Sequence, residues 1–83
     1  MTRIVWADTV RDLFYELPES ERIEILGHLN YLMLFPHRYP VRAKGRRFRR
    51  HRWFLAGNWL VYYRVAGDTV YIRGLWPARI PCM

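Results

Sequence analysis

"WFLAGNWLVYYRVAGDTVYIRGLW", residues 53–76, decides the fold. Three β-branched and aromatic runs are parted by "AGN" and "AGD", short breaks that place a glycine where a tight hairpin needs positive φ. The strands read as Phe48 to Leu55, Trp59 to Val65 and Thr69 to Leu75. The middle run, "WLVYYRV", is almost continuously apolar, as a strand buried in mid-sheet should be.

Upstream of the first strand, "PHRYPVRAKG" (36–45) has two prolines and a glycine and reads as a loop. Before it, Val10, Leu13, Phe14 and Leu17 fall at i, i+3, i+4 and i+7, one stripe of a helix whose N-cap is read as Asp8. Pro18, Glu19 and Glu21 suit the first turn of a second helix, from about residue 18 to 34. Its buried side is read as Ile23, Leu26, Leu29, Leu32 and Met33. "RIVW" (3–6) reads as an opening strand. The expected fold is therefore α+β in the order β-α-α-β-β-β: one domain over residues 1–83, with two N-terminal helices packed on one face of a small, mainly antiparallel sheet.

Charge is distributed as unevenly as apolar content is ordered. The chain carries +7 overall. Residues 1–36 hold six of the seven acids against three arginines, a balance of −3; residues 37–83 hold eleven bases against Asp68 alone, a balance of +10. Of the fourteen bases thirteen are arginine, whose planar fork meets phosphate bidentately and stacks on bases. "KGRRFRRHRW" (44–53) concentrates six of them without an acid. Such a run repels itself, which favours a phosphate partner over a merely solvated face. In the strand, Phe48, Arg50, Arg52 and Phe54 share one parity, and Arg49, His51, Trp53 and Leu55 the other; Arg50 and Arg52 are expected on the face that the helices leave open.

Several classes are disfavoured. No apolar run approaches the roughly 20 residues of a spanning helix, and the N-terminus meets acid where a signal peptide would continue apolar. One cysteine, Cys82, permits no internal disulfide and fits a reducing compartment. A cytoplasmic protein is expected. His28, His37, His51 and Cys82 show no metal-ligand spacing, so neither metal nor cofactor is expected. No glycine-rich phosphate loop and no Ser/His/Asp arrangement appears.

In order and spacing the chain resembles the RelE/ParE superfamily of bacterial type II toxins along nearly its whole length. The resemblance rests on the "IVW" opening strand, the two helices ending in "FP", the loop ending in "KG", the basic strand, "NWLVYYRV" followed by "GDTVYIR", and "ARIP". It implies a toxin neutralised by a cognate antitoxin protein that covers the sheet's basic face. It also implies one of two targets: the ribosome and its mRNA, which RelE-like members cut by helping the 2′-hydroxyl attack the adjacent phosphate, or DNA gyrase, which ParE-like members poison. A family member that is catalytically inactive and only binds antitoxin or DNA is a third reading. Trp59 stands where RelE-type members usually carry an arginine, and the tail "RIPCM" holds no Tyr or His of the kind several members use in catalysis.

On the RelE-like reading, 2′-hydroxyl attack needs a base, an acid and cations on the transition state. Arg79 matches the family's C-terminal arginine, and Arg50 and Arg52 its basic strand positions; these three are expected on the phosphate. His51, the one histidine in the basic stretch, is the candidate base, with a plain surface residue as the other reading. Lys44, Arg46, Arg47, Arg49, Trp59 and Arg73 are expected to bind RNA. Trp53, Trp59, Trp76 and Tyr63 are candidates to stack on bases or receive antitoxin side chains, or else core and hairpin packing.

Overall fold

The computed structural model describes residues 2–41 and 50–78. Its elements run β1 (Arg3–Trp6), α1 (Asp8–Glu16), α2 (Glu19–Leu34), β2 (Arg52–Ala56), β3 (Trp59–Ala66) and β4 (Thr69–Pro77). The class and element order are those expected. The sheet is mixed, in the order β1-β4-β3-β2, with β1 parallel to β4 and the two hairpins antiparallel.

Both hairpins close with two residues. Ala56 pairs with Trp59 and Ala66 with Thr69, leaving Gly57-Asn58 and Gly67-Asp68 as the loops. Gly57 (φ 60°) and Gly67 (φ 61°) are positive while Asn58 and Asp68 are not. Positive φ confined to the first central residue is the type II′ pattern, whose twist matches that of the strands it joins.

Once the loops set the register, the pleat decides which residues meet the helices. Trp6, Ile72, Tyr63 and Arg52 are successive cross-strand partners, and Phe54 lies two residues beyond Arg52 on the same side. Trp6 packs on Phe14 of α1, ring centroids 4.8 Å apart, and Phe54 stacks on His28 of α2 at 4.9 Å and 13°. Both helices therefore cover one face of the sheet. Val10, Phe14, Leu17, Ile25, Leu29 and Leu32 close on Phe54, Val61, Tyr63, Val70, Ile72 and Leu75 to form the core.

Four expectations need correction. Asp8 is not the N-cap: Ala7 is, without a side-chain hydrogen bond, and Asp8 sits inside the first turn, where its carboxylate meets the helix dipole. The buried flank of α2 is Ile25, Leu29 and Leu32, which turns Ile23, Leu26 and Met33 to solvent. That helix is apolar around most of its circumference, so spacing alone did not choose the flank. The strand expected from Phe48 to Leu55 is not strand at Arg50 and His51: Arg50 is in a turn with φ 68°, and β2 begins at Arg52. Arg52 lies on the helix side with Phe54, because a strand that buries Phe54 must send Arg52 the same way. Phe48, Cys82 and residues 42–45 of the expected loop lie outside the described residues.

Two glycines with equal space predict opposite effects. A Cβ on Gly27 or on Gly67 would meet nothing within 4 Å, but Gly27 is helical and Gly67 left-handed. Gly27→Ala should raise the unfolding free energy by roughly 0.5–1 kcal/mol. Gly67→Ala should lower it by about 1–2 kcal/mol. Urea unfolding of the two variants checks both signs.

Candidate functional site: a cationic cleft at the end of the sheet

At the end of the β2–β3 ribbon, beyond the C-terminus of α2, a cleft of about 190 Å³ is lined by Arg50, Arg52, Arg64, His37, Val41 and Val65. Its three arginines come from three places: a turn, the start of β2 and β3. No described residue lining it is acidic. Arg11 pairs with Asp8 and Asp12 on α1, and among the described residues no carboxylate pairs with Arg50, Arg52 or Arg64.

The wall opposite the strands is the segment after α2, and aromatic packing holds it in place. Tyr39 lies 5.2 Å from Phe54 and 5.9 Å from Tyr31, and its hydroxyl is 2.9 Å from His28 Nδ1. Arg52 Nη1 donates to the carbonyls of Tyr39 (2.7 Å) and His37 (3.1 Å), while the Trp53 amide donates to the Pro40 carbonyl (3.1 Å). Arg52 thus ties the segment to the sheet with one nitrogen, and its other N–H groups make no hydrogen bond among the described residues. Below it, Tyr63 is wholly buried, its hydroxyl 3.4 Å from the Pro36 carbonyl. Burial pushes its phenol up to about 12, against which the nearby Arg52 charge pulls down.

Arg64 belongs to two clefts. On its other side, a space of about 260 Å³ is lined by Arg64, Ala66, Tyr71 and Arg73. Tyr71 is the cross-strand partner of Arg64, and its ring is half exposed on the face without helices. Arg73 is the extra residue where the β3–β4 register shifts between Tyr62 and Tyr63, a bulge that re-aims its side chain. The described cations therefore continue from Arg50 through Arg52 and Arg64 to Arg73, with an aromatic ring between the last two. That open face also carries apolar side chains, with Val5, Leu55 and Trp76 40 to 50% exposed, and Arg3 shares the parity of Val5 on β1.

Of the sequence-derived site residues, Arg50 and Arg52 share the first cleft and Arg73 the second. His51 is half-buried between Arg50 and β2. Trp59 is on the helix side, its indole N–H donated to the Glu21 carboxylate of α2, a placement that does not favour stacking on RNA. Tyr63 is fully buried and unable to stack on a base. Trp53 is half-buried and Trp76 exposed, both on the open face. Lys44, Arg46, Arg47, Arg49 and Arg79 lie outside the described residues. Sequence reading missed Arg64, Tyr71 and His37; the one charged residue inside "WLVYYRV" was the available signal for Arg64. Among the described residues no three His, Cys, Asp or Glu side chains converge as a metal site would require. No described helix is long and apolar enough to cross a membrane.

Comparison with protein-family models, with curated proteins and with solved structures finds no match.

The buried phenol has a pH signature. An unfolded chain loses the Tyr63 proton near the ordinary value of 10.0, whereas the folded protein keeps it to about 12. The unfolded state then binds fewer protons across this window, so stability is fully present below pH 10 and falls as pH rises toward 12. Denaturant titrations through that range should show a shallower fall in Tyr63→Phe than in the parent protein.

Proposed function

We propose that this chain is the toxin of a bacterial type II toxin–antitoxin system, a RelE-like, metal-independent endoribonuclease that cuts mRNA on the ribosome. The observation that carries the reading is the convergence of Arg50, Arg52 and Arg64 on one cleft with no acid among its described lining. Arginine is a permanent cation, and three of them gathered on one cleft with no acid among its described lining repel one another. A phosphate diester removes that repulsion. On attack by the 2′-hydroxyl, charge grows on the non-bridging oxygens, and fixed N–H donors stabilise that transition state more than the ground state.

Arg50, Arg52 and Arg64 then hold the scissile phosphate, joined by Arg79 from the family resemblance, with His51 as the residue to test for proton transfer. Tyr71 and Arg73 extend the track for a neighbouring nucleotide, one ring to stack on and one cation for the next phosphate. Lys44, Arg46, Arg47 and Arg49 add longer-range attraction for RNA. The cognate antitoxin covers the apolar open face and neutralises the arginines with carboxylates. The site of action is the cytoplasm.

Arg50 allows function to be separated from stability. A non-glycine residue at φ 68° is strained by about 1–2 kcal/mol. Arg50→Gly should therefore raise the melting temperature while removing a phosphate ligand. On translating ribosomes, toe-printing should detect an A-site cut with the parent protein. Arg50→Gly and Arg64→Ala should each reduce that cut by roughly 10²-fold, the typical loss of one transition-state donor. Toxic expression without any A-site cut, accompanied by DNA-damage signalling, would replace this reading with a ParE-like gyrase poison.

A further inference from the structure

Neither the core nor the cationic cleft uses the outer flank of α2. Ile23, Leu26, Asn30 and Met33 recur there at intervals of three and four, the spacing of a helix–helix seam. Ile23 is 60% exposed, Leu26 44% and Met33 40%; Leu34, beside the seam, is 74% exposed. Gly27 sits near its middle, and a Cβ there would meet nothing within 4 Å. A missing side chain at that point lets a second helix come close. Next to this ridge runs an open groove of about 410 Å³ lined by Ile23, Gly27 and Tyr31, among others. Ridge and groove lie on one surface, as a self-complementary contact requires.

We propose that α2 pairs with the α2 of a second copy of this chain, antiparallel about a two-fold axis between Gly27 and Asn30. Charge selects both the partner and the direction. Glu19, Glu21 and Glu24 crowd the N-terminal half of the helix, and no further acid occurs until Asp68. The C-terminal end leads into His37 and Arg38, and a hydrogen bond from Arg38 Nε to the Tyr31 hydroxyl (3.0 Å) holds that guanidinium beside the seam. A parallel pair would set acids against acids. An antiparallel pair sets Ile23 against Leu34, Leu26 against Tyr31 and Glu19 against Arg38 of the second copy, and it opposes the helix dipoles. Asn30, flanking the axis, carries both a donor and an acceptor for its own copy. The helix spans only about 24 Å, so the contact is at the small end of stable interfaces and the dimer is weak.

Sedimentation equilibrium of the full chain, from low micromolar to sub-millimolar, tests this without reference to activity. The mass should rise from one chain to two with concentration. Ile23→Glu and Leu34→Glu should each hold the chain monomeric with an unchanged melting temperature, since both side chains already face solvent. Gly27→Arg should also hold the chain monomeric, because the free surface has room for it and the paired one has not, while its melting temperature rises with the loss of a helical glycine. Glu19→Arg or Arg38→Glu alone should weaken association several-fold, and the two together should restore it. A chain monomeric at every concentration overturns the proposal, even if an amphipathic helix of another protein docks on the seam. So does a dimer indifferent to Ile23→Glu and Leu34→Glu, or one in which the charge reversals fail to rescue each other.

Discussion

A two-residue loop at Gly57-Asn58 fixes the parity of β2, and the rest of the structure depends on that parity. Ala56 must pair with Trp59, which sets Phe54 opposite Val61 and Arg52 opposite Tyr63. A slip of one residue would bury Leu55 and Trp53 and send Phe54 to solvent. The aromatic cluster of Phe54, His28, Tyr39 and Tyr63 would then have no centre. Loss of a buried phenylalanine costs about 3–5 kcal/mol, a large share of what a domain of this size holds in reserve.

The same parity shapes the cleft. Arg52 follows Phe54 to the helix side, where α2 has already ended and the carbonyls of His37 and Tyr39 await its N–H groups. Arg64 takes the opposite parity from its neighbour Tyr63 and stands exposed on β3. The two side chains meet at the sheet's end from different faces, and the turn residue Arg50 adds a third. Cations gather here because the helices, with six of the seven acids in the N-terminal 36 residues, lie on the far side of the core. The chain's uneven charge thus becomes a spatial separation, acids over one layer and guanidinium groups at the rim of the other.

Much of this was legible beforehand, and the failures have physical causes. The hairpins, the opening strand and the stripe of α1 were readable because glycine punctuation and apolar spacing agreed there. α2 misled because it is apolar on two flanks: Ile23 and Leu26 carry the same signal as Ile25 and Leu29, and only the sheet distinguishes them. The basic strand misled differently. Arg50 and Arg52 share parity with Phe54, and burying an aromatic ring decides a register more strongly than exposing a guanidinium. Arg64 was overlooked because an apolar strand conceals one charged position on its open side. Tyr39 was unreadable, since its place in the aromatic cluster comes from a contact with a strand fifteen residues on.

The proposed function requires the guanidinium groups at the end of the sheet to form one binding surface for the phosphates of single-stranded RNA. Titrating a fluorescent RNA oligonucleotide with the purified chain over a series of salt concentrations tests this most directly. Log affinity should fall linearly with log salt. Arg64→Ala should weaken binding to every sequence and lower the slope by about one, whereas Arg11→Ala, which removes a cation on α1, should change neither. A slope indifferent to Arg64 while RNA still binds would contradict it, as would an affinity that salt leaves unchanged.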